Sequence, residues 1–165
     1  MIRQLRAALG IVLLAGLAVG AGGAGAASPG EHQLAAAAAP AAPSDAVARR
    51  MAKITLITFN NAVATGNFTV LRLRTAKRFR ASFSAVKLRR RFAAFIKRRV
   101  DLSPIVSLGV NWAVRPAVNG KGRLRLRGHF KTVPKIVRFE FRYVFEGKEW
   151  MLTHIAVRVT DRLAK

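Results

Sequence analysis

An α+β domain, with helices first and an antiparallel sheet after them, is the fold class this sequence predicts. Three observations carry the expectation. From Ser44 to about Arg99 apolar residues recur at helical spacing. After Ala113 they alternate every second residue. Asn119-Gly120-Lys121-Gly122, Val133-Pro134-Lys135 and Glu146-Gly147-Lys148-Glu149 punctuate that second part as turns. Helices segregated from a run of strands pack on one face of the sheet, so N-terminal helices on a curved antiparallel sheet are expected. The 165 residues suit one domain plus a targeting segment, and 52% hydrophobic residues exclude a chain disordered by its composition.

Residues 1–26 read as a signal peptide. Arg3 and Arg6 precede an apolar run, Ala7 to Val19, and Ala24-Gly25-Ala26 is a small-x-small cleavage site. The apolar run is shorter than the roughly 20 residues a membrane span needs. Residues 27–43, with Pro29, Gly30, Pro40, Pro43 and the alanine run Ala35 to Ala39, are expected to be a flexible linker. The domain is then 44–165. Export and the absence of any Cys place it in a bacterial periplasm or outside the cell, without disulfides, thiol catalysis or thiolate metal sites.

Within the domain, Ser44 caps a first helix with Asp45 in its first turn, and Gly66 ends it. One apolar stripe of this helix is Val47, Met51, Ile54 and Thr58. Leu56, Ile57, Phe59 and Val63 form a second, so burial on several sides is expected. A second helix carries Phe68, Leu71, Phe79 and Phe83. A third, capped by Ser84, carries Leu88, Phe92, Phe95 and Ile96. An edge strand, Ala113 to Val118, contains Pro116. The next strand, Arg123 to Thr132, sets Leu124, Leu126, Gly128 and Phe130 against Arg123, Arg125, Arg127 and His129. Ile136 to Glu146 sets Val137, Phe139, Phe141, Tyr143 and Phe145 against Arg138, Glu140 and Arg142. A turn centred on Val133 and Pro134 pairs Phe130 with Val137, Gly128 with Phe139, Leu126 with Phe141, and Arg127 with Glu140, which puts both apolar sets on one face. The last strand, Trp150 to Thr160, is apolar on both faces: Met151, Ile155, Val157 and Val159 on one, Trp150, Leu152, His154 and Ala156 on the other.

Charge is the strongest compositional signal. Thirty Lys and Arg stand against seven Asp and Glu, a net +23, and loss of Arg3 and Arg6 on processing leaves +21. From Phe68 to Arg99 there are twelve basic residues and no acidic one. Solvated helix faces ordinarily mix both signs, because like charges one turn apart repel. Arg89, Arg90, Arg91, Lys97, Arg98 and Arg99 are therefore expected to contact a polyanion, with the ladder Arg123, Arg125 and Arg127 as a second site. The partner classes are an anionic envelope polymer, a lipid surface or nucleic acid.

The segments "FNNAVATGNFTVL", "FRASFSAVKLRRRFAAF", "RLRLRGHF" and "VRFEFRYVFEGKEWMLTHIAV" together resemble the nuclear transport factor two-like, cone-shaped superfamily over roughly residues 44–160. The likeness is to its small exported bacterial members. It implies a sheet wrapped around the first helix with a pocket at the open end. Catalytic members commonly project Asp, His or Tyr into that pocket, so Tyr143, His154, Arg72 and Asn60 are the pocket candidates, with a small apolar ligand implied. No carboxylate falls on a core-facing strand position, so an Asp base of the isomerase type is not visible. His129 and Glu140 share the polar sheet face, too few to make a metal site. No HExxH, GxSxG, GxGxxG or Walker A pattern occurs, and "NGKGR" reads as a hairpin. No cofactor is expected. An exported, non-enzymatic binding or envelope-associated domain is the leading expectation. A pocket enzyme of the isomerase/cyclase type and a secretion-apparatus subunit with a retained anchor are the alternatives. Asp101, beside Arg98 and Arg99, is expected to form a local ion pair.

Overall fold

The computed structural model describes residues 40–161, and the expected signal peptide and most of the expected linker lie outside them. Helices come first, α1 (Asp45–Thr65), α2 (Thr69–Leu73), α3 (Lys77–Ser82), α4 (Ala85–Arg91) and α5 (Ala93–Lys97), then a 3₁₀ turn at Ser103–Ser107. Strands β1 (Asn111–Val118), β2 (Arg123–Phe130), β3 (Lys135–Glu146) and β4 (Glu149–Asp161) follow. The strands pair antiparallel in sequence order into one open sheet, with β1 and β4 at its edges. This is the α+β arrangement expected.

Local chemistry sets the ends of α1. Ser44 Oγ accepts the Val47 N–H, and Gly66 closes the helix at φ 70°, a left-handed conformation that costs a residue with a Cβ. Ala48, Ala52, Leu56, Phe59, Ala62 and Val63 are buried. The Leu56, Phe59, Val63 stripe thus faces the core, and the buried Ala48, Ala52 and Ala62 extend it. The Val47, Met51, Ile54 stripe is only partly covered: Met51 packs against the core, while Val47 and Ile54 are exposed, 41% and 39%.

The expected second helix is two. Its stripe is interrupted at Thr75, which is fully buried and pairs with Leu152 in a short parallel bridge. There Ala76 N donates to Leu152 O, and Leu152 N donates to Arg74 O. Helical spacing alone could not reveal this break, because the competing hydrogen bonds come from a strand almost eighty residues on. Ser84 caps α4 as expected, accepting the Lys87 N–H at 3.2 Å. Phe92 separates α4 from α5 and is buried against Phe59 and Phe68.

The β2–β3 register is the expected one: Phe130 opposes Val137, Gly128 opposes Phe139, Leu126 opposes Phe141, and Arg127 opposes Glu140. The inner face buries Leu124, Leu126, Phe130, Val137, Phe139, Phe141 and Tyr143. Phe145, expected on that face, is 44% exposed at the end of the hairpin and packs only edge-on with Trp150. Asn119 forms the β1–β2 hairpin, its side chain accepting the N–H groups of Lys121 and Arg123.

The two-faced apolar pattern of β4 has a physical cause. Arg142 opposes His154, but Tyr143 opposes Leu152, so Thr153 is the extra residue of a β-bulge. Alternation inverts across it. Leu152 on one side and Ile155 and Val157 on the other all reach the core. His154, expected beside Trp150 and Leu152, faces outward with Arg142 instead.

Gly128 marks a close approach. A Cβ there would lie 2.6 Å from the Asn111 carbonyl oxygen and 3.1 Å from the Phe139 ring. Gly128→Ala is expected to destabilise by about 1–3 kcal/mol, the cost of overpacking. The check is a lowered urea midpoint with an unchanged slope; an unchanged midpoint would refute the contact.

Candidate functional site

The four pocket candidates do not meet. Tyr143 is buried on the inner face, and its hydroxyl lies 2.8 Å from Thr55 Oγ1 of α1. Beside it is a cavity of about 100 Å³ lined in part by Met51, Thr55, Leu71 and Leu152. Ligand sites commonly occupy about 300–1,000 Å³, so this space is too small for a drug-sized molecule. Asn60 instead accepts the Leu102 N–H at 2.8 Å and ties the segment after α5 to α1. Arg72 donates to the Phe83 and Arg80 carbonyls at 2.9 and 3.0 Å and fixes the far end of α3. His154 is on the opposite sheet face. Arg74, not Arg72, lines the cavity. The pocket constellation is therefore corrected: three of its four members hold or line other structures.

Burial pushes the Tyr143 phenol well above its ordinary value, and the Thr55 hydrogen bond only partly offsets this. Tyr143 is the single tyrosine. An ultraviolet titration is therefore expected to show no phenolate at about pH 10, where a free tyrosine ionises. The unfolded chain loses this proton and the native one keeps it, so the Tyr143 contribution to stability is intact below about pH 10 and declines above it. Half-ionisation near pH 10 with the fold intact would refute its burial.

Asp101 forms no ion pair among the described residues. Its carboxylate accepts the Ser103 N–H at 2.8 Å and the Ser103 hydroxyl at 2.7 Å, bonds that hold its pKa down. No group of three or more potential metal ligands comes together among the described residues.

The basic residues are better placed. Arg89, Arg90 and Arg91 are exposed in the last turn of α4; Lys97, Arg98 and Arg99 are exposed at and after the end of α5. None of the six forms an ion pair among the described residues. Arg89 also lies over Gly66, its Nε 3.6 Å from where a Cβ would be, and so sets a positive charge at the C-terminal end of α1. Arg123, Arg125 and Arg127 project from the outer sheet face, about 7 Å apart along the strand.

Arg138 and Arg142 of β3 and Arg158 of β4 share that face, opposed in register to one another or to the ladder. At its centre is Glu140, 2.9 Å from Arg142, 3.2 Å from Arg125 and 4.0 Å from Arg127. Burial works to raise the Glu140 carboxyl, but the hydrogen bonds and charges of Arg142 and Arg125 outweigh it and leave it below the ordinary range. One carboxylate thus orders three guanidinium groups without cancelling them.

The helical and sheet sets, far apart in sequence, meet along β4. Arg98 and Arg158 line one groove of about 290 Å³ between α5 and β4. Arg91 lies over the Phe83 ring, its guanidinium carbon 6.0 Å from the centroid, and Phe83 lines a groove together with Arg142 and His154. Arg138, Arg142 and Arg158 are the members of this surface that sequence reasoning did not single out. Alternation marks Arg138 and Arg142 as outward, but the Thr153 bulge conceals the phase of Arg158.

Fold and surface together define an α+β domain with an open four-stranded sheet and an arginine-rich outer face. Comparison with known proteins finds nothing similar to the chain among family models, curated proteins or solved structures.

Proposed function

We propose that this is an exported, non-enzymatic domain that binds polyanions through one basic surface, made of the outer sheet face and the α4–α5 segment beside it. The supporting observation is the meeting of those two sets along β4, at Arg98 with Arg158 and, through the Phe83 ring under Arg91, at the groove that Phe83 lines with Arg142 and His154. Glu140 fixes where Arg125, Arg127 and Arg142 sit on that face, and the three charges exceed its one. Guanidinium groups held in this way are well suited to phosphate, sulfate or carboxylate oxygens, which their planar forks meet with two hydrogen bonds at once. The small space beside Tyr143 favours binding over pocket catalysis.

Export rests on the composition of residues 1–26, and membership of the cone-shaped superfamily rests on sequence likeness and on helices followed by an antiparallel sheet. Both belong to this proposal. The test is cosedimentation with vesicles containing an anionic phospholipid, with lipopolysaccharide and with DNA, against neutral vesicles and a neutral polysaccharide. Binding to the anionic set alone is expected. Binding to neutral vesicles as strong as to anionic ones, or to none of them, would overturn it.

A further inference from the structure

A groove of about 580 Å³ lies on the basic surface between α3 and the outer sheet face. Its volume is that of a small-molecule site. Arg78 and Phe79 of α3, with Phe83 just after it, form one wall; Arg123, Arg142 and His154, from three adjacent strands, form the other. The single carboxylate in the lining, Glu146, already accepts the Lys77 N–H at 3.1 Å.

No residue of α3 is fully buried, but Phe79 and Phe83 pack in part against the core and hydrogen bonds tie the helix down. Arg72 holds the Phe83 and Arg80 carbonyls, and Arg80 donates to the Leu73 and Thr75 carbonyls. Two arginines therefore fasten the short helix as a wall. Opposite it, Arg142 is fixed by both Nε and Nη2 on Glu140 Oε1. The Thr153 bulge then turns His154 into the groove, since without it the residue after Leu152 on the outer face would be Thr153. Arg78 and Arg123 form no ion pair among the described residues.

We propose that this groove binds a phosphorylated saccharide, with Arg78, Arg123 and Arg142 on the phosphate, the half-buried rings of Phe79 and Phe83 against the sugar, and His154 as an added donor. The inference rests on the polyanion reading and names the unit that the surface recognises. The guanidinium forks match phosphate oxygens. The two rings, 4.6 Å apart, supply a continuous apolar wall, and the Ser82 and Thr153 hydroxyls lie in the same lining for sugar hydroxyls.

His154 makes binding depend on pH. Burial holds its pKa below the ordinary value, the Arg142 and Arg91 charges lower it further, and Glu140 opposes them. Arg78 and Arg123 across the groove act in the lowering direction, Glu146 in the raising one. A bound dianion favours the protonated imidazole, so the His154 contribution grows as pH falls from 8 toward 6. The phosphate itself gains a proton near pH 6, so the informative quantity is the ratio of wild type to His154→Gln at each pH.

The experiment is calorimetric and NMR titration of the full chain with glucose 1-phosphate, inorganic phosphate, glucose and a short single-stranded oligonucleotide. Glucose 1-phosphate is expected to bind tighter than inorganic phosphate and to shift resonances of Thr153 and His154. Arg78→Gln with Arg123→Gln is expected to weaken it about tenfold or more, in line with lost charge-assisted bonds. His154→Gln is expected to cost more at pH 6 than at pH 8. Phe83→Leu, which leaves the arginines in place, is expected to remove the preference over inorganic phosphate. No binding of glucose 1-phosphate, equal affinity for inorganic phosphate, or tighter groove binding by the oligonucleotide would overturn the proposal. Retention of salt-sensitive vesicle or DNA binding in that case would leave the polyanion reading standing.

Discussion

Leu152→Ala is expected to be among the most damaging single changes to this domain. Leu152 is buried on the inner sheet face with Ile155 and Val157, and a Leu→Ala cavity in a packed core costs about 2–5 kcal/mol. That is a large share of a usual stability of roughly 5–15 kcal/mol. The Leu152 backbone also holds Arg74 and Ala76 by two hydrogen bonds, and with them the start of α3. The neighbouring Thr153→Ala keeps the bulge and removes only the hydroxyl bond to the Arg142 carbonyl, at 3.0 Å, for about 1 kcal/mol or less. Urea denaturation of both variants is the check. Equal costs would show that the Leu152 side chain is not seated in the core.

The second large effect is on binding. Replacing Arg123, Arg125 and Arg127 by Gln removes three positive charges from the ladder while leaving hydrogen-bonding side chains of similar length. Arg142 still compensates Glu140 after the change, so the fold is expected to lose little, in keeping with exposed pairs worth about 0–1 kcal/mol. Affinity for anionic vesicles or DNA at low salt is expected to fall more than tenfold. Arg50, Lys121 and Lys148 are exposed cations that belong neither to the ladder nor to the α4–α5 set, and neutralising them changes net charge equally. That control is expected to cost under about threefold. Equal losses in the two variants would mean that attraction comes from net charge alone, which acts at long range and does not depend on where the charges sit.

The sequence carries more of the sheet than of the helices. Strict alternation between two turn signals specifies the β2–β3 register, because a slip by one residue would expose Leu124, Leu126 and Phe130 together. The bulge does leave a trace, in that Trp150 and Leu152 are out of phase with Ile155, Val157 and Val159. Without coordinates that trace reads as a strand apolar on both faces. The break at Thr75 leaves none, since it depends on hydrogen bonds to Leu152. The same holds for the fate of Arg72 and Asn60. Both look like polar groups on apolar helices, and both turn out to satisfy carbonyl or amide groups of distant segments. The groove beside α3 was not legible, because Arg78, Arg123, Arg142 and His154 come from four elements and meet only through sheet order and the bulge.

One ordered basic surface, rather than diffuse charge, is the proposed polyanion contact. The most direct test is the dependence of DNA affinity on salt, measured for the wild type and for the Arg123, Arg125, Arg127 to Gln variant. Each phosphate neutralised adds about 0.9 to the steepness of the log–log plot on duplex DNA. Three lost contacts are therefore expected to make the variant shallower by about 2–3, with the Arg50, Lys121, Lys148 control unchanged. A slope identical in wild type and ladder variant would contradict the account.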